Sequence, residues 1–254
     1  MTVARRKLVA GNWKMNGGLA ANRELLAALI AALPGYDGAD IAVCVPTPYL
    51  AQVGQLVAGS PLALAAQNIS EHAAGAFTGE VSAAMLKEFA CRYVIVGHSE
   101  RRALFGESNA QVAAKFVAAE KAGVAPIVCV GETWPERQAG TTEAVIAAQL
   151  EAVLSTAADD RLGMAVIAYE PVWAIGTGKT ASPAEAQAVH AFIRARIAKR
   201  NAAAAARMRI LYGGSVGAAT AAALFSCADI DGGLVGGASL KAADFASICR
   251  AAVG

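Results

Sequence analysis

A carboxylate that closes an apolar run and is followed at once by a proline and a glycine-tipped segment is well suited to moving a proton. Met164-Ala165-Val166-Ile167-Ala168-Tyr169 is apolar and partly β-branched, which predicts a strand. Glu170 then stands at its C-terminal end, before Pro171 stops regular pairing. Beyond it, Val172-Trp173-Ala174-Ile175-Gly176-Thr177-Gly178-Lys179 reads as a lid with a stiff start, a glycine tip and a return through Thr180-Ala181. A carboxylate under an apolar lid loses hydration, and desolvation raises its pKa toward the range of a general base. Taken alone, the same residues also describe a salt-bridged surface glutamate beside an ordinary glycine loop. The rest of the chain decides between the two.

The elements that must position Glu170 form a regular rhythm. Strand-like runs are predicted at Leu8 to Lys14, Asp40 to Val45, Leu62 to Gln67, Tyr93 to Val96, Ala125 to Val130, Met164 to Tyr169, Met208 to Tyr212 and Ile230 to Val235. Helix-period segments lie between them, such as Leu19 to Leu33, Glu107 to Ala122, Pro135 to Thr156, Pro183 to Asn201 and Ala218 to Phe225. A β-then-α order implies parallel strands joined by helical crossovers. Eight such units in about 250 residues suit a closed (β/α)8 barrel, although a doubly wound open sheet shows much the same alternation. Placement of the polar residues separates the two. Asn12 and Lys14, Gln67 and Asn68, His98, Glu132, Glu170 and Ser215 all follow the C-terminal ends of strands. Those ends converge on one rim in a closed barrel, whereas an open sheet gathers ligands mainly at a switch point. The pattern favours closure into a single domain over residues 1–254.

Composition narrows the setting. The 254 residues are 56% hydrophobic, with a mean hydropathy of +0.44. Much of that is alanine, and no stretch of about 18 apolar residues runs free of charges, glycines and prolines, so no membrane partner is expected. The start has no long apolar h-region, which makes the cytoplasm the expected compartment. Five cysteines, odd in number and without a C-x-x-C pair, read as free thiols rather than disulfides or metal ligands. A net charge of +2 is too mild and too evenly spread for nucleic acid. Small anions remain plausible partners.

Over essentially its whole length the chain resembles the triosephosphate isomerase family. The matching segments are Ala10-Gly11-Asn12-Trp13-Lys14-Met15-Asn16, Ala66-Gln67-Asn68, Gly75-Ala76-Phe77-Thr78-Gly79-Glu80-Val81-Ser82 and Val96-Gly97-His98-Ser99-Glu100-Arg101-Arg102. They continue with Cys129-Val130-Gly131-Glu132, the Glu170 segment, Tyr212-Gly213-Gly214-Ser215-Val216 and Asp231 to Leu240. The resemblance implies an α/β, (β/α)8 TIM barrel that interconverts dihydroxyacetone phosphate and D-glyceraldehyde 3-phosphate through an enediolate, with no cofactor and no metal. Glu170 would be the carbon base. His98, at a strand-to-helix turn where N–H groups disfavour its charged form, would donate as a neutral imidazole to the enediolate oxygen. Lys14 would supply fixed positive charge and Asn12 an amide donor. Ser215, Gly236 and Gly237 would bind the phosphate, joined by Gly176 when the lid closes. Gly213, Gly214 and Gly233 read better as geometry alone. The resemblance also makes Glu132 and Tyr169 alternative partners of the Trp173 indole, with Tyr212 and Ser215 meeting the closed tip.

An exposed Phe77 between glycines wants a partner surface. In the family this loop, Gly75 to Glu80, enters a neighbouring subunit, which implies a homodimer with Thr78 near the other chain's site. Two other classes remain beside this reading: a catalytically silent phosphate-binding barrel, and another barrel enzyme of a phosphorylated ligand, such as a relative of indole-glycerol-phosphate synthase. Glu170, His98 and Lys14 are all present, against the first, and the Tyr169-Glu170-Pro171 lid junction argues against the second. If Gly176 arrives with closure to shield the enediolate, a β-branched residue there raises phosphate elimination to methylglyoxal relative to isomerisation. Product analysis of Gly176→Val checks this, and an unchanged product ratio sinks it.

Overall fold

The computed structural model describes residues 5–158, 161–175 and 180–253. Eight parallel strands close in sequence order: β1 (Leu8–Asn12), β2 (Asp40–Val45), β3 (Leu62–Ala66), β4 (Tyr93–Val96), β5 (Ala125–Val130), β6 (Val166–Tyr169), β7 (Arg209–Tyr212) and β8 (Gly232–Val235). The seam is β8 against β1, with Leu8 opposite Gly232 and Gly11 opposite Val235. Closure therefore holds, and the open-sheet alternative does not.

Strand parity sorts the residues into two layers, because successive side chains point to opposite faces. Leu8, Ala10, Ala42, Cys44, Tyr93, Ile95, Ile127, Cys129, Val166, Ala168, Leu211 and Leu234 pack together inside the barrel. Val9, Ile41, Val43, Val94, Val96, Val128, Val130, Ile167 and Ile210 face the surrounding helices. Strands buried on both faces are why these runs are continuously apolar rather than alternating. All five cysteines are free thiols, with Cys44, Cys91, Cys129 and Cys249 buried. No helix among the described residues is long and apolar enough to cross a membrane.

Element ends differ from the sequence expectation where turn geometry intervenes. β1 stops at Asn12 rather than Lys14, because Lys14 takes a left-handed φ of 53° and turns the chain off the strand. β6 begins at Val166 because Leu162–Met164 coils into a 3-10 turn. The expected helix Pro135 to Thr156 is two helices, Trp134–Gln138 and Thr142–Leu154, parted at Gly140 with φ 69°. The alanine-rich stretch after Asn201 is a helix, Ala202–Arg207, capped by the Asn201 side chain accepting the Ala204 N–H at 2.9 Å.

At the N-terminal end of the barrel, charged residues tie the floor together. Asp40 accepts from Arg6 at 2.9 Å and Arg209 at 2.7 Å, and Arg209 also donates to the Tyr93 hydroxyl at 3.0 Å. Burial alone would raise the Asp40 carboxyl, but these guanidinium groups hold it below its usual range. Asp231 similarly accepts from Arg5 at 2.7 Å, Arg194 at 2.6 Å and the Ile210 N–H at 2.9 Å. Polar bonding on this face serves stability.

His190, on the helix Pro183–Arg200, is fully buried behind β6 and β7, with its ring edge-on to Tyr169 at 5.8 Å. Burial pushes its pKa down from 6.5 to about 4. The unfolded chain takes up a proton here that the folded chain refuses, so stability falls as pH drops from 6.5 toward 4, by about 3 kcal/mol at the limit. Urea unfolding at about pH 7.5 and about pH 5 should show wild type losing about 2 kcal/mol more between the two than His190→Leu does. Equal losses would contradict this account.

Candidate active site

Asn12 and Glu170 extend the inward-facing parity of β1 and β6 by one step, which carries both side chains onto the C-terminal rim. His98 reaches the same rim by a turn. Gly97 has φ 70°, its N–H donates to Glu107 at 3.0 Å, and its carbonyl accepts from Arg102 at 2.8 Å. A Cβ on Gly97 would lie 2.9 Å from Val112, so both conformation and space reserve the position for glycine. One pocket of about 370 Å³ has Asn12, Lys14, His98, Glu170, Ser215, Gly236 and Gly237 on its walls. Gly176, with Thr177, Gly178 and Lys179, lies outside the described residues. A larger groove of about 840 Å³ runs along an alanine-rich outer surface by Ala113, Ala114 and Ala152, and holds none of these groups. Site chemistry therefore belongs to the smaller, polar pocket.

The geometric centre is a buried pair. Glu170 Oε1 lies 2.9 Å from His98 Nε2, and Glu170 Oε2 accepts the Ser99 N–H at 2.9 Å. His98 caps the helix Ser99–Phe105, and its Nδ1 accepts the Glu100 N–H at 3.2 Å. With Nδ1 accepting, the uncharged ring carries its proton on Nε2 and donates it to Glu170. Helix N–H groups thus point at the ring as expected, but both pKa directions differ from the sequence expectation. Burial opposes charge on each group. The His98 contact and the Ser99 N–H nevertheless hold the Glu170 carboxyl below its usual range, while Glu170 raises His98. The part of each shift that comes from the pair is one contact seen from its two sides, and it is lost from both groups when they separate.

Lys14 Nζ donates to Glu100 Oε1 at 2.6 Å. Its left-handed backbone is held by two bonds: its N–H donates to Asn12 Oδ1 at 3.0 Å and its carbonyl accepts from Gln67 Nε2 at 2.9 Å. Strain of this kind costs on the order of 1–3 kcal/mol and persists only where surroundings over-determine it. Asn12 spends its carbonyl on Lys14, which leaves its NH2 free to point at a ligand. Gly213 admits Glu170, since a Cβ there would meet Glu170 Cγ at 2.9 Å, and Gly214 sits against the Tyr212 hydroxyl. Both glycines thus have a geometric use, and both also lie on the wall of the polar pocket. A Cβ on Gly237 would meet nothing within 4 Å, so its backbone is open to a ligand.

At the start of the lid, Trp173 Nε1 donates to Glu132 Oε1 at 2.9 Å, and the Tyr169 hydroxyl donates to the same oxygen at 3.1 Å. Of its two expected partners, the indole is on Glu132. Sequence reasoning did not single out Glu100 or Arg102 for the site, although both lie inside quoted segments, and it placed Gln67 on the rim without a role. Their signal was position beside Lys14 and His98. Among the described residues no group of three or more His, Cys, Asp or Glu side chains is placed to hold a metal ion.

Comparison with known proteins returns a single family name. A profile of the family described as "Triosephosphate isomerase" matches residues 7–252. A protein named "Triosephosphate isomerase" from Thiobacillus denitrificans is 64% identical over 248 residues, which is 98% of this chain and 99% of that one. Those of the same name from Herminiimonas arsenicoxydans and Ralstonia nicotianae are 61% and 60% identical, over 98% of this chain and 100% and 99% of theirs.

Proposed function

The chain belongs to the triosephosphate isomerase family, and from that premise we propose that Glu170, His98, Lys14 and Asn12 carry its chemistry, with Ser215, Gly236, Gly237 and Gly176 binding the phosphate. The reaction interconverts dihydroxyacetone phosphate and D-glyceraldehyde 3-phosphate. The observation that carries the assignment of roles is the 2.9 Å contact between His98 Nε2 and Glu170 Oε1 at the wall of the polar pocket. An Nε2–H given to Glu170 cannot also be given to a substrate oxygen, so substrate binding must part the two.

Parting them readies both groups. Glu170 leaves the donors that kept its pKa low, burial then dominates, and the carboxylate becomes a stronger base. It takes a proton from C1 of dihydroxyacetone phosphate and returns it to C2. His98 gives its Nε2 proton to the oxygen on C2 and takes one from the oxygen on C1, which balances the transfer. Lys14 Nζ and the Asn12 amide face the same oxygens and stabilise charge where it develops. Lys14, 2.6 Å from Glu100, is released for this when the substrate displaces that carboxylate. Ser215 and the backbone at Gly236 and Gly237 form a phosphate cradle on the loops after β7 and β8. Gly176 would add an N–H to that cradle on closure. The barrel takes the whole chain, 1–254, as one domain, working in the cytoplasm.

The same reading makes the active unit a homodimer. Phe77 is 40% exposed and lies flat on His72, with ring centroids 3.8 Å apart, in a loop turned by Gly75 and Gly79. Met15, the neighbour of Lys14, is 96% exposed, and Leu104 and Phe105 are 75% and 69% exposed. A second subunit whose loop covers Met15 and supplies Thr78 near Lys14 accounts for this apolar surface.

In a coupled assay of triose-phosphate interconversion, Glu170→Asp withdraws the carboxylate by about one methylene and should lower kcat about 100-fold with little change in KM. An unimpaired variant, or an inactive wild-type dimer, would overturn the assignment. Sedimentation at low concentration should show activity tracking the dimer; a fully active monomer contradicts the shared site.

A further inference from the structure

We propose that Gln149, on the outer helix Thr142–Leu154, is a positioning residue for Glu170, acting through the peptide of Gly131. The proposal rests on Glu170 being the carbon base. Where β5 gives way to its loop, the Val130 carbonyl accepts the Glu170 N–H at 2.8 Å and the Glu132 carbonyl accepts the Val172 N–H at 3.1 Å. These two bonds hold the chain on either side of Pro171. Gly131 sits between them and turns its own peptide groups the other way. Its N–H donates to Gln149 Oε1 at 2.8 Å, and its carbonyl accepts from Gln149 Nε2 at 3.1 Å. One side-chain amide thus supplies both a donor and an acceptor, the pairing that a neighbouring strand would otherwise give.

Steric contact closes the argument from the other side. A Cβ built on Gly131 would fall 1.7 Å from the Glu170 carbonyl oxygen, so the Gly131 backbone lies directly against that of the base. Gly131 cannot move toward Glu170, and Gln149 stops it moving away. Room to move away exists: a recess of about 250 Å³ has Gly131, Gln149 and Glu170 on its walls. Gln149 is not on the wall of the polar pocket, so it touches no substrate and acts only through the placement of Glu170. Displacements of about 1 Å at a reacting group are enough to cost one to two orders of magnitude in rate.

Gln149→Leu removes both bonds, and its kcat should fall about tenfold while KM stays within about twofold, since the phosphate cradle lies on other loops. In the Glu170→Asp background, where the carboxylate is already misplaced, the same change should cost much less than tenfold. Gln149→Glu gives a second, independent reading. Its ionised carboxylate still accepts the Gly131 N–H but faces the Gly131 carbonyl without a proton to offer, whereas the protonated form restores the donor. The ratio of Gln149→Glu to wild-type kcat should therefore rise about twofold between about pH 7.5 and about pH 5. Wild-type kcat in folded Gln149→Leu, a loss confined to KM, or additivity with Glu170→Asp would overturn the proposal. Should Gln149→Leu fail to fold, a flat Gln149→Glu ratio overturns it and a rising one supports it. An unimpaired Glu170→Asp would instead remove the base assignment itself.

Discussion

The arrangement of the rim depends on one contact, the hydrogen bond between His98 and Glu170. Glu170 and His98 are 2% and 6% exposed, and a carboxylate so deeply buried without partners would take up a proton rather than stay charged. His98 and the Ser99 N–H keep it ionised. While this contact lasts, the His98 Nε2 proton is committed to Glu170. A ligand that offers His98 an oxygen would therefore free the carboxylate in the same step. On the proposed roles, substrate binding and activation of the base are linked through a single proton.

That contact requires two strand ends to bring side chains within 2.9 Å, and the curvature of the barrel wall turns them toward each other. β4 and β6 are not neighbours; β5 separates them. Parity alone places Asn12 and Glu170 over the barrel interior, but His98 sits at an even step from Val94 and Val96, which face outward. The left-handed turn at Gly97 reverses that direction, and Glu107 and Arg102 fix the turn through its N–H and its carbonyl. On the other side, the peptides flanking Glu170 lean on β5 through Val130 and Glu132. The middle strand thus carries the base, while helices behind the sheet hold the turns still.

The residues to which the chemistry is assigned stood out in the sequence because their types are unusual at strand ends. A glutamate before proline, a histidine after an apolar run and a lysine after Gly-Asn-Trp are costly there without a purpose. The direction of the pKa shifts was not legible. It depends on which partner Glu170 finds across the barrel, and local sequence gives only its burial. Gln149 was invisible for a different reason: a glutamine on a helix looks like solvated surface, and only the fold shows that its amide completes another segment's backbone, as only the fold shows what the rim residue Gln67 bonds. The extent of β1 failed for the same cause, since Lys14 leaves the strand only because Asn12 and Gln67 stabilise its left-handed backbone. The break at Gly140 was hidden by helix-favouring residues on both sides.

Charge at the rim bears on how a dianion is admitted. Lys14 is paired with Glu100, and His98 with Glu170, so each of these donors already has a carboxylate beside it. Paired in this way, the side chains alone offer little attraction to a phosphate ester. The attraction must come from the opposite wall, where Ser215, Gly236 and Gly237 line the pocket and a Cβ on Gly236 would stand only 3.6 Å from Lys14 Cε. Backbone N–H groups bind a phosphate without a formal counter-charge and without reorganising. A phosphate seated there lies beside Lys14 and competes with Glu100 for it, and Glu100 is the more exposed partner, with 43% of its side chain accessible against 31% for Lys14. Moving Glu100 into water is cheap, whereas moving Lys14 would disturb the strained backbone beneath it. The lysine is therefore the fixed member of that pair, and on the proposed roles the substrate takes its place beside it by displacing the glutamate.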